Sequence, residues 1–331
     1  MNFQQLRSVR EAVRRGFNLT EVANALHTSQ PGVSRQIREL EDELGVELFQ
    51  RVGKRLTGMT PPGQQLLPVI ERLLGEAENL RQAARDCSSH DVGPLSLAAT
   101  HSQARYALPG AVKDFRQLYP QVTLSLHQGS PRQVAQMLIN GEADIGIATE
   151  ALDQYEQLVT LPCYSWTHCV VVPPDHPLLD GEPLTLARLA RYPMVTYEGG
   201  FTGRSHIDEA FAKEGIKPSI VLSAMDADVI KTYVELGMGV GIVASIAFDP
   251  ERDRTLRAID AGHLFAVNMT RLAFRKGAFL RGYAYGFIET FAPPLTKEVV
   301  VQAMAQAHQK DVDAPRSPCA LDPGVAYAGM G

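Results

Sequence analysis

The sequence is poor in cysteine. Its 331 residues include only four, Cys87, Cys163, Cys169 and Cys319, and no two of them have C-x-x-C spacing. Thiols scattered in this way form neither a zinc motif nor the disulfide framework of a small secreted protein. The sequence therefore predicts reduced thiols, no bound metal and a cytoplasmic protein.

Membrane and enzyme signals are also lacking. No uncharged apolar run reaches the roughly 20 residues that span a bilayer, and residues 1–16, MNFQQLRSVREAVRRG, have no signal-peptide core. The motifs HExxH, GxSxG and GxxxxGK[ST] do not occur. The pairs Asp226/Asp228 and Asp175/His176 have spacings more typical of a helix cap and a turn than of an acid and a base. We therefore expect no catalytic residue and no membrane partner.

Positive charge is scarce overall but uneven along the chain. The net charge is -5, yet residues 1–60 contain 9 Lys and Arg against 7 Asp and Glu, which leaves 23 against 30 for the remainder. A slightly basic N-terminal part on an acidic body indicates that this part contacts phosphate.

Residues 18–44 predict two short helices joined by a tight turn. Asn18 or Thr20 suits the N-cap of the first helix, and Ser29 suits that of the second, with Pro31 in its first turn. Apolar residues then recur at spacings of four, three and four, at Val33, Ile37, Leu40 and Leu44. This stripe faces a core and leaves the opposite side exposed.

The exposed side of the second helix predicts a DNA-reading surface. Gln30, Ser34 and Arg38 follow one another at i, i+4 and i+8, with Arg35 beside them. Amide and hydroxyl groups bond base edges, so Gln30 and Ser34 are predicted to read bases, whereas Arg35 and Arg38 are predicted to contact phosphates. The alternative is a solvated face of an amphipathic helix.

A basic hairpin follows this helix. In RVGKRL, residues 51–56, Gly53 suits a tight turn between Arg51 and the pair Lys54 and Arg55. Such a wing would place its three cations on the phosphate backbone without reading sequence. Residues 1–59 are therefore predicted to form a winged helix-turn-helix domain.

Residues 60–87 predict a linker helix with a heptad-like seam. Its apolar residues recur at alternating spacings of four and three, at Leu66, Ile70, Leu73, Ala77, Leu80 and Ala84. This spacing favours a dimerisation helix, and the alternative is a helix that packs on its own domain. The polar residues 88–94 are predicted to be a hinge.

From residue 95 short apolar strands alternate with helices, which is typical of α/β architecture. Strands are predicted at 95–99, 122–126, 143–148, 169–172, 194–197, 220–223, 240–244 and 270–274. So many strands favour two lobes, lobe I from 95–161 and 269–292 and lobe II from 162–268. The chain would cross near Pro162 and return near Asn268. Residues 293–331 are predicted to be a partly disordered extension.

Several predicted strands end in hydroxyl or amide residues. Thr100, Ser102 and Gln103 follow the strand at 95–99, Thr149 follows the strand at 143–148, and Thr202 lies in the Gly-rich loop 199–205. In α/β sheets ligands bind at the carboxyl ends of strands. Each hydroxyl alone would suit an ordinary N-cap, but together they favour a cleft for a small anion or a polar amino-acid derivative.

The sequence resembles LysR-type transcriptional regulators over about residues 1–295. The most specific motif is TSQPGVSRQIRELEDELGVELFQR, residues 28–51. Within that family the body resembles the CysB-like branch, which controls sulfur assimilation and cysteine synthesis. The matching segments are ATHSQARYALP (99–109), HQGSP (127–131), ATEAL (148–152), LPCYSW (161–166), PDHPL (174–178), FTGRS (201–205) and DADVIKTYVELGMGVGI (226–242).

The resemblance implies a two-lobed effector domain similar to periplasmic solute-binding proteins. It implies an anion pocket with Trp166 nearby, formed by Thr100, Ser102, Gln103, Thr149 and Thr202. Ser102 stands where this branch more often has threonine, which keeps the hydroxyl. The implied effectors are N-acetylserine, O-acetylserine, sulfate or thiosulfate, with no further cofactor.

Together these features predict an activator that binds promoter DNA as a homotetramer and controls sulfate-assimilation and cysteine-biosynthesis genes. RNA polymerase is a further candidate partner. One alternative is a regulator of sulfonates or other alternative sulfur sources, which responds to sulfate or a sulfate-derived nucleotide. Another alternative, of a different class, is a solute-binding protein. The helix-turn-helix and the missing signal peptide argue against that class.

Overall fold

The computed structural model describes residues 1–53, 55–88, 91–149, 151–201 and 203–313. Two predicted site residues, Lys54 and Thr202, lie outside these ranges, and so does the end of the predicted extension, residues 314–331. The described residues form a small helical head, a long helix and two α/β lobes. This architecture confirms the predicted fold class.

The head consists of three helices and a hairpin. They are α1 Phe3–Arg14, α2 Leu19–Ala25, α3 Gln30–Leu44, β1 Phe49–Val52 and β2 Arg55–Met59. The predicted caps are confirmed: Asn18 Oδ1 accepts a hydrogen bond from Thr20 N at 3.1 Å, and Ser29 Oγ accepts one from Gly32 N at 3.2 Å. The two strands pair antiparallel and form the predicted wing.

The long helix α4 runs over Pro61–Ser88 and has two differently used parts. Ile70 and Leu74 are buried in the core of the head. Val69, Leu73 and Leu80 are exposed apolar side chains, and Leu80 is 72% exposed. One face of the helix therefore completes the head, and it includes Ile70 of the predicted seam, which packs on its own domain. Another face presents an exposed apolar stripe with Leu73 and Leu80 of that seam.

The remaining described residues form the two lobes. The strands are β3 Gly93–Ala99, β4 Val122–Gln128, β5 Ile145–Thr149, β6 Leu158–Trp166, β7 His168–Val172, β8 Met194–Tyr197, β9 Ile220–Ala224, β10 Val240–Ala244, β11 Arg257–Asp260 and β12 Asn268–Arg275. The helices are α5 Leu108–Leu118, α6 Pro131–Asn140, α7 Leu186–Leu189, α8 Arg204–Lys213, α9 Ala227–Glu235, α10 Gly282–Phe291 and α11 Lys297–Asp313. No helix in the described ranges is both long and apolar enough to cross a membrane.

Each lobe is built on a five-stranded mixed sheet. The strand order of lobe I is β4-β3-β5-β12-β6, with β3 parallel to β4 and β5 and with β12 antiparallel to its neighbours. The order of lobe II is β11-β7-β10-β8-β9, with β8 parallel to β9 and β10 and with β7 antiparallel to β10 and β11. The parallel strands direct their carboxyl ends to one edge of each sheet, where ligands bind in such folds.

The chain passes between the lobes at Thr167 and at Val267. The predicted return near Asn268 agrees with this, but the predicted first crossing near Pro162 is wrong, because β6 continues to Trp166. Proline normally argues against a strand because it lacks an N–H donor. Here β6 is the edge strand of its sheet, and its register with β12 shifts beside Pro162. An edge strand with such an irregularity tolerates proline.

The predicted extension, residues 293–331, begins with an ordered helix within the described residues. Residues 297–313 form helix α11, which packs on lobe I. Val300 is fully buried in the lobe I core, and Met304 and Ala307 contact the same cluster. These residues recur with helical spacing, so the helix is held by an apolar face.

Two cysteines lie in the strands that join the lobes. Cys163 on β6 is half-buried and Cys169 on β7 is buried, and both are free thiols. Burial raises the pKa of each thiol to about 12. Since the thiolate is the reactive form, neither residue is suited to redox or nucleophilic chemistry at neutral pH.

We expect both thiols to resist alkylation in the native protein. At pH 8 a thiol with a pKa of about 12 is ionised in roughly one molecule in ten thousand. Iodoacetamide followed by peptide mass spectrometry should leave Cys163 and Cys169 unmodified in buffer and label both in urea. Labelling of either residue in buffer at the rate of free cysteine would contradict the burial.

Candidate functional site

Helix α3 presents the predicted DNA-reading residues on the surface of the head. Gln30, Arg35 and Arg38 are exposed and Ser34 is half-buried. The opposite face of the helix is buried, at Val33, Ile37 and Leu40. The helix can therefore enter a groove of DNA with these polar groups foremost while its apolar face holds it to the head.

Arg35 is oriented by a neighbour on the same helix. Its Nε donates to Glu39 Oε1 at 2.7 Å, and Gln5 Nε2 donates to the other oxygen of Glu39 at 3.3 Å. These two bonds hold the pKa of Glu39 below its usual value. The Arg35 side chain is still 81% exposed, so further N–H groups of the guanidinium remain available to a phosphate.

The wing and α3 meet in one surface groove. Gln30 from the start of α3 and Arg55 from the wing both line it, together with residues 16–20, which lead into α2. Arg55 is exposed there, as a phosphate contact requires. The structure thus brings the predicted base-reading and phosphate-binding groups to the same side of the head.

Arg51 has a structural role that the sequence did not reveal. Its Nη2 donates to Glu41 Oε2, and the other oxygen of Glu41 accepts hydrogen bonds from Leu48 N at 2.8 Å and Phe49 N at 3.1 Å. Glu41 is buried, so these bonds and the guanidinium compensate its charge. Arg51 fastens the wing to α3, and its predicted contact with phosphate stays a prediction.

In lobe I, the predicted effector residues gather at the carboxyl ends of the strands. Thr100 follows β3, Thr149 ends β5 and Trp166 ends β6, and all three are buried. Trp166 Nε1 donates a hydrogen bond to Thr149 Oγ1 at 3.3 Å. The hydroxyls are uncharged donors that suit the oxygens of a small anion, and the indole N–H orients the hydroxyl of Thr149.

Gln103 is held by two residues that the sequence did not single out. Its Nε2 donates to Thr270 Oγ1 at 3.2 Å, and its Oε1 accepts a hydrogen bond from Tyr164 Oη. Tyr164 lies on β6 and Thr270 on β12, far from Gln103 in sequence. Only the pairing of these two strands could have shown that they belong to the site.

Ser102 differs from its neighbours because its hydroxyl is not satisfied. The residue is 2% exposed, and Oγ has no hydrogen-bond partner of normal geometry among the residues that the structure describes. An unsatisfied buried hydroxyl is costly, and a bound ligand would remove that cost. It is the clearest sign of a binding position in lobe I.

The loop of lobe II that carries Thr202 reaches the crossing strands. Gly203 has φ of +67°, and a Cβ at this position would lie 2.2 Å from Asn268 Oδ1. Only glycine allows this close approach. Phe201 packs in the same cluster as Trp166. Phe201 and Gly203, the described residues on either side of Thr202, therefore lie near the ends of β6 and β12.

One group of side chains in the described residues has the spacing of a metal site. Ligand atoms of His101, Asp226 and Asp228 lie within 4.8 Å of one another. Asp228, however, already accepts hydrogen bonds from Tyr106 Oη at 2.7 Å and Arg105 Nε at 3.2 Å. Since the arginine compensates this carboxylate, we assign no metal here.

The fold and the two sites define the class of protein. A winged helix-turn-helix head, joined by a long helix to a two-lobed α/β domain, is the architecture of a DNA-binding regulator with a ligand-binding domain. Residues 3–64 match the family model described as bacterial regulatory helix-turn-helix protein, lysR family, and residues 88–293 match the LysR substrate binding domain. The chain belongs to the LysR family of transcriptional regulators. The relatives that it matches are transcriptional regulators and not enzymes.

Individual relatives confirm the resemblance to the CysB-like branch. The HTH-type transcriptional regulator SsuR of Burkholderia cenocepacia is 60% identical over 93% of this chain and 100% of its own length. CysB of the same organism is 56% identical over 92% of this chain and 97% of its own. The crystal structure of the cofactor-binding domain of the Cbl transcriptional regulator has a TM-score of 0.62 at 46% identity and covers 64% of this chain and 93% of that one.

Removing the carboxylate of Glu41 should destabilise the head. The variant Glu41→Ala leaves the N–H groups of Leu48 and Phe49 and the Arg51 guanidinium without their partner, at a cost of about 3 kcal/mol. Hydrogen exchange of α3 amides should accelerate accordingly. Glu39→Ala, on the same helix but in an exposed ion pair, should leave the protection of these amides nearly unchanged. Equal effects of the two variants would contradict this role of Glu41.

Proposed function

We propose that this protein is a transcriptional activator of sulfate-assimilation and cysteine-biosynthesis genes and is controlled by a small effector between its lobes. The observation that supports control by a ligand is the buried, unsatisfied hydroxyl of Ser102 beside Thr100 and Gln103. The similarity to CysB supports the choice of genes. Acting on promoter DNA, the protein would work in the cytoplasm.

The donors of the cleft indicate the chemistry of the effector. Thr100, Ser102 and Thr149 offer hydroxyls, and the Trp166 indole orients the Thr149 hydroxyl by donating its N–H to Oγ1. Such donors suit the oxygens of sulfate or thiosulfate, and equally the carboxylate and acetyl oxygens of N-acetylserine or O-acetylserine. We therefore propose these four compounds as the candidates.

A second candidate function is supported by the relatives. SsuR at 60% identity is more similar to this chain than CysB of the same organism at 56%, so similarity does not favour the function of CysB over that of SsuR. The second candidate is a regulator of alternative sulfur sources such as sulfonates, with sulfate or a sulfate-derived nucleotide as its effector.

Self-association is part of the proposal. The exposed apolar stripe of Val69, Leu73 and Leu80 on α4 supports a dimer formed through this helix. Two such dimers would give the proposed homotetramer and place several heads on one promoter. RNA polymerase is the further partner expected of an activator bound at a promoter.

One experiment separates the two candidate functions. DNase footprints on the promoter of a sulfate-reduction operon are recorded with N-acetylserine, O-acetylserine, sulfate or thiosulfate. We expect protection that shortens or shifts with an acetylserine. Protection that responds to sulfate alone would favour the regulator of alternative sulfur sources. No protection would contradict the proposed target genes.

The Ser102→Ala variant tests the effector site. Since Ser102 Oγ has no partner of normal geometry among the described residues, its removal should not lower stability and should weaken binding of the effector roughly tenfold. Fluorescence of Trp166, the only tryptophan of the chain, reports the titration. The control is Ser96→Ala, which removes a hydroxyl of the same lobe that donates a hydrogen bond to Glu142 O at 2.9 Å. Equal affinity of Ser102→Ala and wild type would exclude Ser102 from the site.

The Arg55→Gln variant tests the wing. Loss of one phosphate contact should lower affinity for all operators alike and reduce the slope of log K against log salt by about 0.9. Fluorescence anisotropy with two operators at several salt concentrations measures both quantities. Arg254→Gln, an exposed arginine of lobe II, should change neither. A loss confined to one operator would show that Arg55 reads bases.

A further inference from the structure

A π-helical turn lies directly after the predicted effector residues. It spans Gln103–Ala107, and Ser102 stands at its N-terminus. A π-turn holds about one residue more than an α-turn and is a rare arrangement that is frequently found at functional sites. Groups on this turn are therefore placed by the same backbone that places Ser102 and Gln103.

Two side chains of the turn cross to lobe II. Tyr106 Oη donates to Asp228 Oδ1 at 2.7 Å, and Arg105 Nε donates to Asp228 Oδ2 at 3.2 Å. Asp228 lies in the first turn of α9. One carboxylate of lobe II thus receives two hydrogen bonds from lobe I.

The contact extends into the interior of lobe II. Lys231 is buried, and its Nζ donates to the carboxylate of Asp253 at 2.9 and 3.0 Å and to Ala247 O at 2.9 Å. The same Nζ lies 3.4 Å from Asp228 and 5.3 Å from the centroid of the Tyr106 ring. Tyr106 packs against the buried lobe II cluster. A side chain of lobe I therefore packs against the core of lobe II.

The charges at this contact favour the bonded form. Burial raises the pKa of Asp228, but the Tyr106 hydrogen bond and the Lys231 and Arg105 charges outweigh it, so the net shift is downward. Burial and Asp228 raise the pKa of Tyr106. At neutral pH Asp228 therefore stays ionised and Tyr106 stays a neutral donor. A neutral hydroxyl that donates to an ionised carboxylate forms a strong, charge-assisted hydrogen bond.

We propose that Tyr106, Arg105 and Asp228 form an interlobe latch that holds the lobes together and is coupled to the effector cleft through the π-turn. An effector that bonds Ser102 fixes the turn, and the fixed turn keeps Tyr106 and Arg105 on Asp228. By linkage the latch must raise effector affinity as much as the effector stabilises the latch. The coupling rests on the proposed function of the cleft, whereas the latch itself does not.

The first experiment tests the latch without an effector. Hydrogen exchange of the full-length protein is compared for wild type, Tyr106→Phe and Asp228→Asn. Tyr106→Phe keeps the ring and removes only the hydroxyl. Amides of residues 103–107 and 227–235 should exchange roughly fivefold to tenfold faster in both variants. Asp180→Asn, which breaks a two-bond pair with Arg188 within lobe II, should leave both segments unchanged. Unchanged exchange in Tyr106→Phe and Asp228→Asn would overturn the latch.

The second experiment tests the coupling. Trp166 fluorescence is titrated with N-acetylserine and, separately, with sulfate. Each latch variant should bind the compound recognised by wild type roughly fivefold to tenfold more weakly. The double variant should bind no more weakly than the single ones, because both remove one interaction. Losses that multiply in the double variant, or wild-type affinity in both single variants, would overturn the coupling.

Failure of the proposed function gives a different result. If neither compound bound wild type, the proposed effectors would be wrong, and hydrogen exchange would still decide whether the latch exists. If the compounds bound wild type and exchange were unchanged in the variants, the effector site would stand and the latch would be wrong.

Discussion

The pairing of Trp166 with Asn268 is the constraint on which the two-lobed body depends. These residues stand opposite each other at the ends of β6 and β12, where the chain leaves lobe I and returns to it. Both crossings therefore lie side by side, and the lobes can move only about this short double connection. The same pairing brings the buried indole of Trp166 to Thr149. Trp166 thus belongs both to the connection between the lobes and to the proposed effector site.

Local patterns predicted most of the fold because they reflect local physics. The caps at Asn18 and Ser29 and the apolar stripe of α3 follow from backbone hydrogen bonding and burial within a few residues. The misses depended on distant partners or on position in a sheet. The sequence around Pro162 looked like a break because nothing in it shows that β6 is an edge strand. Likewise, the bonds of Gln103 to Tyr164 and Thr270 exist only through strand pairing.

In the two lobes, neutral polar groups and ionised groups lie in different places. At the strand ends of lobe I the polar groups are neutral, at Thr100, Ser102 and Thr149. Ionised groups lie at the neighbouring contact between lobes, where Asp228 meets Arg105 and Lys231. Neutral donors can bind oxyanions of different charge without a fixed counter-charge, whereas ionic contacts are strong and directional. The groups of the proposed effector site are thus neutral, whereas the contact between the lobes is ionic.

The burial of Ile70 and Leu74 in the head has a consequence for how such regulators diversify. The family model for the helix-turn-helix ends at residue 64, but the head loses two core side chains if it is cut there. Recombination between related genes would yield a stable head only when the junction falls beyond Leu74. The segment exchanged as a whole is then the head together with the first half of α4, and it includes the apolar residues Val69 and Leu73. A regulator that acquired a new head in this way would also acquire these two exposed side chains, which lie on the face proposed to contact a partner subunit.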